Sequence, residues 1–133
     1  MQVRSIKSIK KFVNRTVLLR TDFNVPLKAG KVVDNYKIEK SLPTIKYLID
    51  RGAKVIIVSH LGRPKGIDKK LSLTPIAKEL SRLLSQEVIF ISIDDKKRGE
   101  KIKNLTNGQV CLLDNIRFLP EEDAGDLSLA REL

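Results

Sequence analysis

The chain has one cysteine, one histidine and no tryptophan, and only four Phe and two Tyr. A lone cysteine, Cys111, excludes an internal disulfide and suits a reducing compartment. It lies in the apolar run Gln109-Val-Cys-Leu-Leu113, with no second histidine to activate it, so it reads as a small buried hydrophobe. One His and one Cys also exclude a zinc site of ordinary ligand spacing. The few aromatics argue against single-stranded nucleic acid bound by stacking. No apolar run reaches the length of a membrane span, and no secretory leader pattern is visible. There is no Gly-x-Gly-x-x-Gly after the first apolar run and no Gly-x4-Gly-Lys-Ser/Thr loop, so neither common dinucleotide nor P-loop phosphate site is encoded. Internal repeats and low-complexity tracts are absent as well.

What is abundant is positive charge. The formal net charge is +10 over 133 residues. It is lopsided: residues 1–70 carry 17 Lys and Arg against 5 Asp and Glu, whereas residues 71–133 carry 9 against 11. Nucleic-acid binding is one reading of a basic half. The favoured reading is a locally basic cleft for a small ligand, with the remaining lysines on solvated helix faces.

Four apolar runs read as strands: Thr16-Val-Leu-Leu-Arg20, Lys54-Val-Ile-Ile-Val58, Val88-Ile-Phe-Ile91 and Gln109-Val-Cys-Leu-Leu113. Helical patterns lie between them. Across 36–51, Ile38, Leu42, Ile45, Leu48 and Ile49 share a face, and Gly52 follows as a stop. Pro43 predicts a helix start near Leu42 or an irregular first turn. In the next helix Thr74 is the expected N-cap, Pro75 the first helical residue, and Ile76, Leu80, Leu83 and Leu84 the buried stripe. A weaker helix is predicted over 95–105, ending before Asn107-Gly108. Residues 126–133 resemble the start of another helix. Ala29-Gly30 reads as a tight turn. Strand and helix alternate, which predicts an α/β fold: a three-layer αβα arrangement around a parallel sheet.

The chemistry concentrates where strands end. In open parallel sheets, ligands bind just past the carboxyl ends of the strands. Three such ends carry unusual polar loops: Thr21-Asp-Phe-Asn-Val-Pro26, Ser59-His-Leu-Gly-Arg63 and Asp114-Asn-Ile-Arg-Phe118. A parallel sheet would gather Asp22, Asn24, His60, Arg63, Asn115 and Arg117 near one cleft. Two arginines, a histidine and amide donors beside one acid suit a small anion that also bears a hydroxyl. Each residue has a plainer explanation: Asp22 and Asn24 could close a turn before Pro26, His60 could be a capped loop residue, and Arg117 could pair with Glu121 or Glu122. Those explanations would have to coincide at three strand ends. The clusters Asp94-Asp95 and Glu121-Glu-Asp123 read as solvated helix starts, not metal ligands.

At these residues the chain resembles the amino-terminal part of the phosphoglycerate kinases. The matching blocks are Leu19-Arg-Thr-Asp-Phe-Asn-Val-Pro-Leu27, Ser41-Leu-Pro-Thr-Ile45 with Gly52-Ala53, Ser59-His-Leu-Gly-Arg-Pro-Lys-Gly66, Ser72-Leu-Thr-Pro75 and Leu112-Leu-Asp-Asn-Ile-Arg-Phe118 with Glu121-Glu122. They keep the family's order and span nearly the whole chain. The resemblance implies a Rossmann-like amino-terminal domain, with residues 1–133 as an incomplete phosphoglycerate-binding domain and the nucleotide-binding carboxyl-terminal domain absent. It further implies a cytoplasmic, monomeric kinase of glycolysis and gluconeogenesis. That enzyme transfers a phosphoryl group between ATP and 3-phosphoglycerate, giving ADP and 1,3-bisphosphoglycerate, with Mg²⁺ accompanying the nucleotide. Neither a nucleic acid nor a membrane is an expected partner, and this part is expected to bind no cofactor of its own.

By match to the motifs, Asp22, Phe23, Asn24, His60, Leu61, Gly62, Arg63 and Arg117 inherit substrate binding. Lys37 stands where the family pattern has a catalytic and substrate-binding arginine. Lysine keeps the charge but loses the planar fork. Asp114 replaces a glutamate. The family's later basic-patch arginine, hinge and nucleotide domain have no counterpart in the sequence, so a fragment inactive by itself is expected. The alternative in a different class is a non-catalytic basic α/β module that binds small anions or nucleic acid.

Overall fold

The computed structural model describes residues 4–119. The elements in chain order are β1 (Thr16–Arg20), β2 (Leu27–Lys28), β3 (Lys31–Val32), α1 (Tyr36–Asp50), β4 (Lys54–Val58), α2 (Thr74–Leu84), β5 (Val88–Ile91), α3 (Arg98–Lys103) and β6 (Val110–Leu113). Short 3₁₀ turns cover Ile6–Ser8, Lys69–Leu71 and Ile116–Phe118.

The four long strands form one parallel sheet in the order β1-β4-β6-β5. Side chains alternate between sheet faces. Val55, Ile57, Val110 and Leu112 therefore meet Ile38, Ile45 and Leu48 of α1 and Ile76, Ala77 and Leu80 of α2. Ile56, Val58, Cys111 and Leu113 meet Leu105 and Ile102 on the opposite face. Covered on both sides, β4 and β6 have to be continuously apolar, which is how they read in the sequence. By contrast, β1 alternates: Val17 and Leu19 pack inward while Leu18 stays 47% exposed at the sheet edge. The expected three-layer α/β architecture is observed.

Helix α1 begins at Tyr36 and runs straight through Pro43, contrary to the start predicted near Leu42. Pro43 removes one backbone donor, but both it and Glu39 lie on the exposed face. The carbonyl deprived of its partner thus meets water instead of core, which limits the cost of an interior proline. The helix ends in a Schellman arrangement: Gly52 N–H donates to the Ile49 carbonyl (2.9 Å) and Ala53 N–H to that of Leu48 (3.0 Å), with Gly52 at φ +80°.

Thr74 is the first residue of α2, not its N-cap, and makes no capping bond. Its hydroxyl pairs with Ser72 Oγ (2.9 Å), and the N–H of Leu73 goes to Asp114 (2.9 Å). Helix α3 is shorter than expected because the Asp95 carboxylate accepts the Lys97 N–H (2.8 Å) and closes a turn first. The Ala29-Gly30 turn joins β2 and β3 as a two-residue hairpin, both residues at positive φ. The predicted terminal helix at 126–133 and the acidic run at 121–123 lie outside the described residues.

Candidate functional site

Strands β1, β4 and β6 are neighbours and parallel, so the loops that follow them leave at one edge of the sheet. Ser59, wholly buried, ties the three loops together. Its hydroxyl donates to the Thr21 carbonyl (2.9 Å) and accepts the Phe23 N–H (2.9 Å). Its own carbonyl accepts the Ile116 N–H (3.2 Å). One short side chain at the end of β4 thereby fixes the β1 loop, and its backbone fixes the β6 loop.

Gly62 makes the second junction. Its N–H donates to Asn24 Oδ1 (3.2 Å), and its carbonyl accepts from Arg117 Nη1 (3.2 Å). At φ +64° it occupies the left-handed region, and a Cβ there would stand 3.0 Å from Leu71 Cδ2. The left-handed conformation favours glycine, and a Cβ would in addition press on the end of the Leu71 side chain.

Asn115 is the third. Its side-chain amide donates to the carbonyls of Leu61 (2.7 Å) and Leu71 (3.0 Å), and its Oδ1 accepts the Arg117 N–H (3.1 Å). It is wholly buried, so its donors serve the loops and not a ligand, contrary to the expectation that it lines the cleft. Beside it, the Asp114 carboxylate accepts from the N–H groups of Leu73 (2.9 Å) and Asn115 (2.8 Å) and from Ser72 Oγ (3.2 Å). That anchors the start of α2 to the end of β6. Ser59, Ser72 and Asp114 were not among the expected site residues. For Ser59 and Asp114 the available signal was a short polar residue immediately after an apolar strand, where buried backbone groups need partners; Ser72, after a 3₁₀ turn, carried no such signal.

The residues that face solvent are the charged ones. Asp22 is exposed, as are Asn24, Lys37 and Arg63, while His60 and Arg117 are half-buried. Lys37, near the start of α1, donates to Asp22 Oδ2 (2.9 Å) and to the Asn24 carbonyl (3.3 Å). That bond is the main reason the Asp22 carboxyl sits below its ordinary value; the Asn24 N–H (3.1 Å) and the nearby charges of Lys37 and His60 act in the same direction. The Asx turn at Asp22–Asn24 is the local closure that the sequence allowed, and it coexists with the site. The Arg117 Nε is buried and has no hydrogen-bond partner among the described residues. Glu121 and Glu122, its suggested ion-pair partners, lie outside them. A small cavity of about 120 Å³ opens alongside, lined by Asn24, Val25, Pro26, Asp34, Tyr36 and Lys37.

Phe23 and Leu61 are placed differently. Their side chains are 0% and 5% exposed and belong to the core, so they can meet a ligand only through backbone. Cys111 is buried too, and desolvation pushes its thiol up to about 12, leaving an unreactive neutral group. Among the described residues no three His, Cys, Asp or Glu side chains gather as a metal site, and no helix is long and apolar enough to cross a membrane. Of the exposed carboxylates here among the described residues, Asp22 is already engaged by Lys37 and Asp34 accepts the Tyr36 N–H (2.9 Å). These residues do not fit a nucleotide-bound magnesium ion.

Fold and site together define an open parallel α/β domain whose strand-end loops carry basic side chains at one edge of the sheet. The family model described as phosphoglycerate kinase matches residues 6–133. The phosphoglycerate kinase of Nostoc punctiforme is 52% identical over 122 residues, covering 90% of this chain and 30% of that protein. The Wolbachia pipientis enzyme is 47% identical over 137 residues, covering 100% and 34%. Among solved structures, the phosphoglycerate kinase of Coxiella burnetii superposes with a TM-score of 0.83 at 37% identity, covering 94% of this chain and 31% of the other. That of Pyrococcus horikoshii gives 0.78 at 42%, covering 88% and 29%. The chain belongs to the phosphoglycerate kinase family, and it spans about 30% of the length of the curated relatives it matches.

Proposed function

We propose that this chain supplies the 3-phosphoglycerate-binding part of a cytoplasmic, monomeric phosphoglycerate kinase. The overall reaction is the reversible transfer of a phosphoryl group from ATP to the carboxylate of 3-phosphoglycerate. The observation that carries the reading is the welding of three strand-end loops by Ser59, Gly62 and Asn115, which brings Asp22, His60, Arg63 and Arg117 to one edge of the sheet. In this reading residues 1–133 are part of an amino-terminal domain, and the nucleotide and its magnesium ion belong to a carboxyl-terminal domain.

The chemistry assigned to these residues is positioning and charge neutralisation, with no covalent intermediate on the protein. Asp22 accepts a hydrogen bond from the substrate hydroxyl. Arg63, Arg117 and His60 hold its phosphate and carboxylate. The Arg117 guanidinium is held toward this edge by its bond to the Gly62 carbonyl (3.2 Å), and its buried Nε has no hydrogen-bond partner among the described residues. Lys37 supplies positive charge near the reacting carboxylate, but first has to leave Asp22, to which it is bonded at 2.9 Å. Both members of that pair are largely exposed, so separating them costs at most about 1 kcal/mol. As a point charge, Lys37 steadies the moving phosphoryl group less specifically than the two-pronged arginine the family resemblance implies.

The test has two arms. The chain, purified free of host enzyme, is titrated with 3-phosphoglycerate, and is also assayed for ADP formation from ATP and 3-phosphoglycerate. Saturable binding without turnover is expected. Turnover scaling with chain concentration would refute the division of labour, and absence of binding would refute the assigned site.

A further inference from the structure

Away from that cleft, two depressions adjoin each other beneath the tip of the β2–β3 hairpin. One, of about 520 Å³, is lined by the turn on one side and by Lys69 and Lys70 on the other. The second, of about 320 Å³, is lined by Lys31, Lys78, Glu79 and Arg82. Gly30 and Pro75 border both, so the two form one groove running from the 3₁₀ turn to the middle of α2. Five cations line it against one carboxylate, Glu79. That carboxylate is already held by Arg82 (2.5 Å) and by the Asn35 amide (3.1 Å). Lys31, Lys69, Lys70 and Lys78 have no carboxylate partner among the described residues.

Four uncompensated ammonium groups around one groove repel each other and attract a polyanion. They are flexible point charges and not planar forks, so they select charge density and length over shape. Leu27 and Pro75 are among the residues lining the joined depressions, and no aromatic ring is there to stack on a base. We propose that this groove is a second anion site that takes a linear chain of phosphates, distinct from the 3-phosphoglycerate cleft. Its cations lie on the hairpin, the 3₁₀ turn and α2, none of which supplies Asp22, His60, Arg63 or Arg117.

Tripolyphosphate is the probe. Titrated into the whole chain, it should bind saturably and far more tightly than orthophosphate. The triple variant Lys69→Gln, Lys70→Gln, Lys78→Gln should lose at least about tenfold in affinity, whereas Arg63→Ala should keep it. All three lysines are solvent-facing, and an unchanged circular dichroism spectrum and urea midpoint verify the fold of the variant. Backbone amide shifts should move at Gly30, Lys31 and Ile76. ATP carries the same chain of phosphates and should bind no more tightly than tripolyphosphate. Tighter ATP binding would show that a base is being read and would overturn the proposal. So would equal affinity for orthophosphate, absence of saturable binding, or loss of binding in Arg63→Ala with the lysine variant unaffected. Failure of 3-phosphoglycerate binding, by contrast, bears only on the first cleft.

Discussion

Asn115→Ala should be the most damaging single truncation near the cleft. The wild-type amide satisfies the Leu61 and Leu71 carbonyls at 2.7 and 3.0 Å, and its oxygen satisfies the Arg117 N–H at 3.1 Å. The side chain is wholly buried, so water does not readily replace it. Each buried polar group left without a partner costs about 1–3 kcal/mol. Two orphaned carbonyls and one partly exposed N–H sum to roughly 3 kcal/mol. That is a large fraction of the roughly 5–15 kcal/mol by which a domain is stable. With a urea m-value of about 1–1.5 kcal/mol/M for a small domain, the midpoint should fall by roughly 2–3 M. Asn115→Asp is the informative companion. It keeps the shape and the acceptor for Arg117, but turns an oxygen toward each carbonyl, and should cost at least as much as alanine at neutral pH. Protonation restores one donor, so its deficit should shrink as pH falls. A loss under about 0.5 kcal/mol in Asn115→Ala, or a fully stable Asn115→Asp, would refute the view that this amide welds the loops.

Gly62→Ala forces a Cβ to within 3.0 Å of Leu71 and keeps a left-handed backbone; a loss of about 1–2 kcal/mol in urea unfolding is expected, together with weakened 3-phosphoglycerate binding. Cys111 should resist thiol reagents at pH 7–9 in the native state and react at full stoichiometry in denaturant, because burial holds it neutral. The Asp22 carboxyl is lowered in the folded state, so its bond to Lys37 contributes above the ordinary carboxylate value and is lost as pH falls through the lowered one. Because the pair is mostly exposed, Asp22→Asn should shift acid unfolding only slightly, and added salt should erase the difference.

The strands were legible in the sequence because burial on both sheet faces leaves a continuous apolar run, as in Lys54–Val58. Parallel strands send their following loops to one edge, which is why the three polar loops could be grouped from sequence alone. Helix ends were less legible. Pro43 suggested a boundary, yet its position on the solvated face of α1 lets the helix continue, and which face meets water is a tertiary property. Thr74 had the right chemistry for a cap, but Asp114, forty residues later, takes the neighbouring N–H. Asn115 shows the same limit within the site. Its type and place suggested a ligand donor, and only the packing of Leu61 and Leu71 around it reveals that its amide points inward. The exposure of charged residues such as Asp22 and Arg63 was easier to anticipate, because a charge at a strand end is costly to bury without a partner.

The most direct measurement is a backbone amide NMR titration of the isotope-labelled chain with 3-phosphoglycerate. The account predicts saturable shifts confined to the segments 21–24, 60–63 and 115–117, with those signals unmoved in a folded Arg63→Ala variant. Shifts confined to the hairpin groove, or no saturable shift at any amide of the three loops, would contradict it.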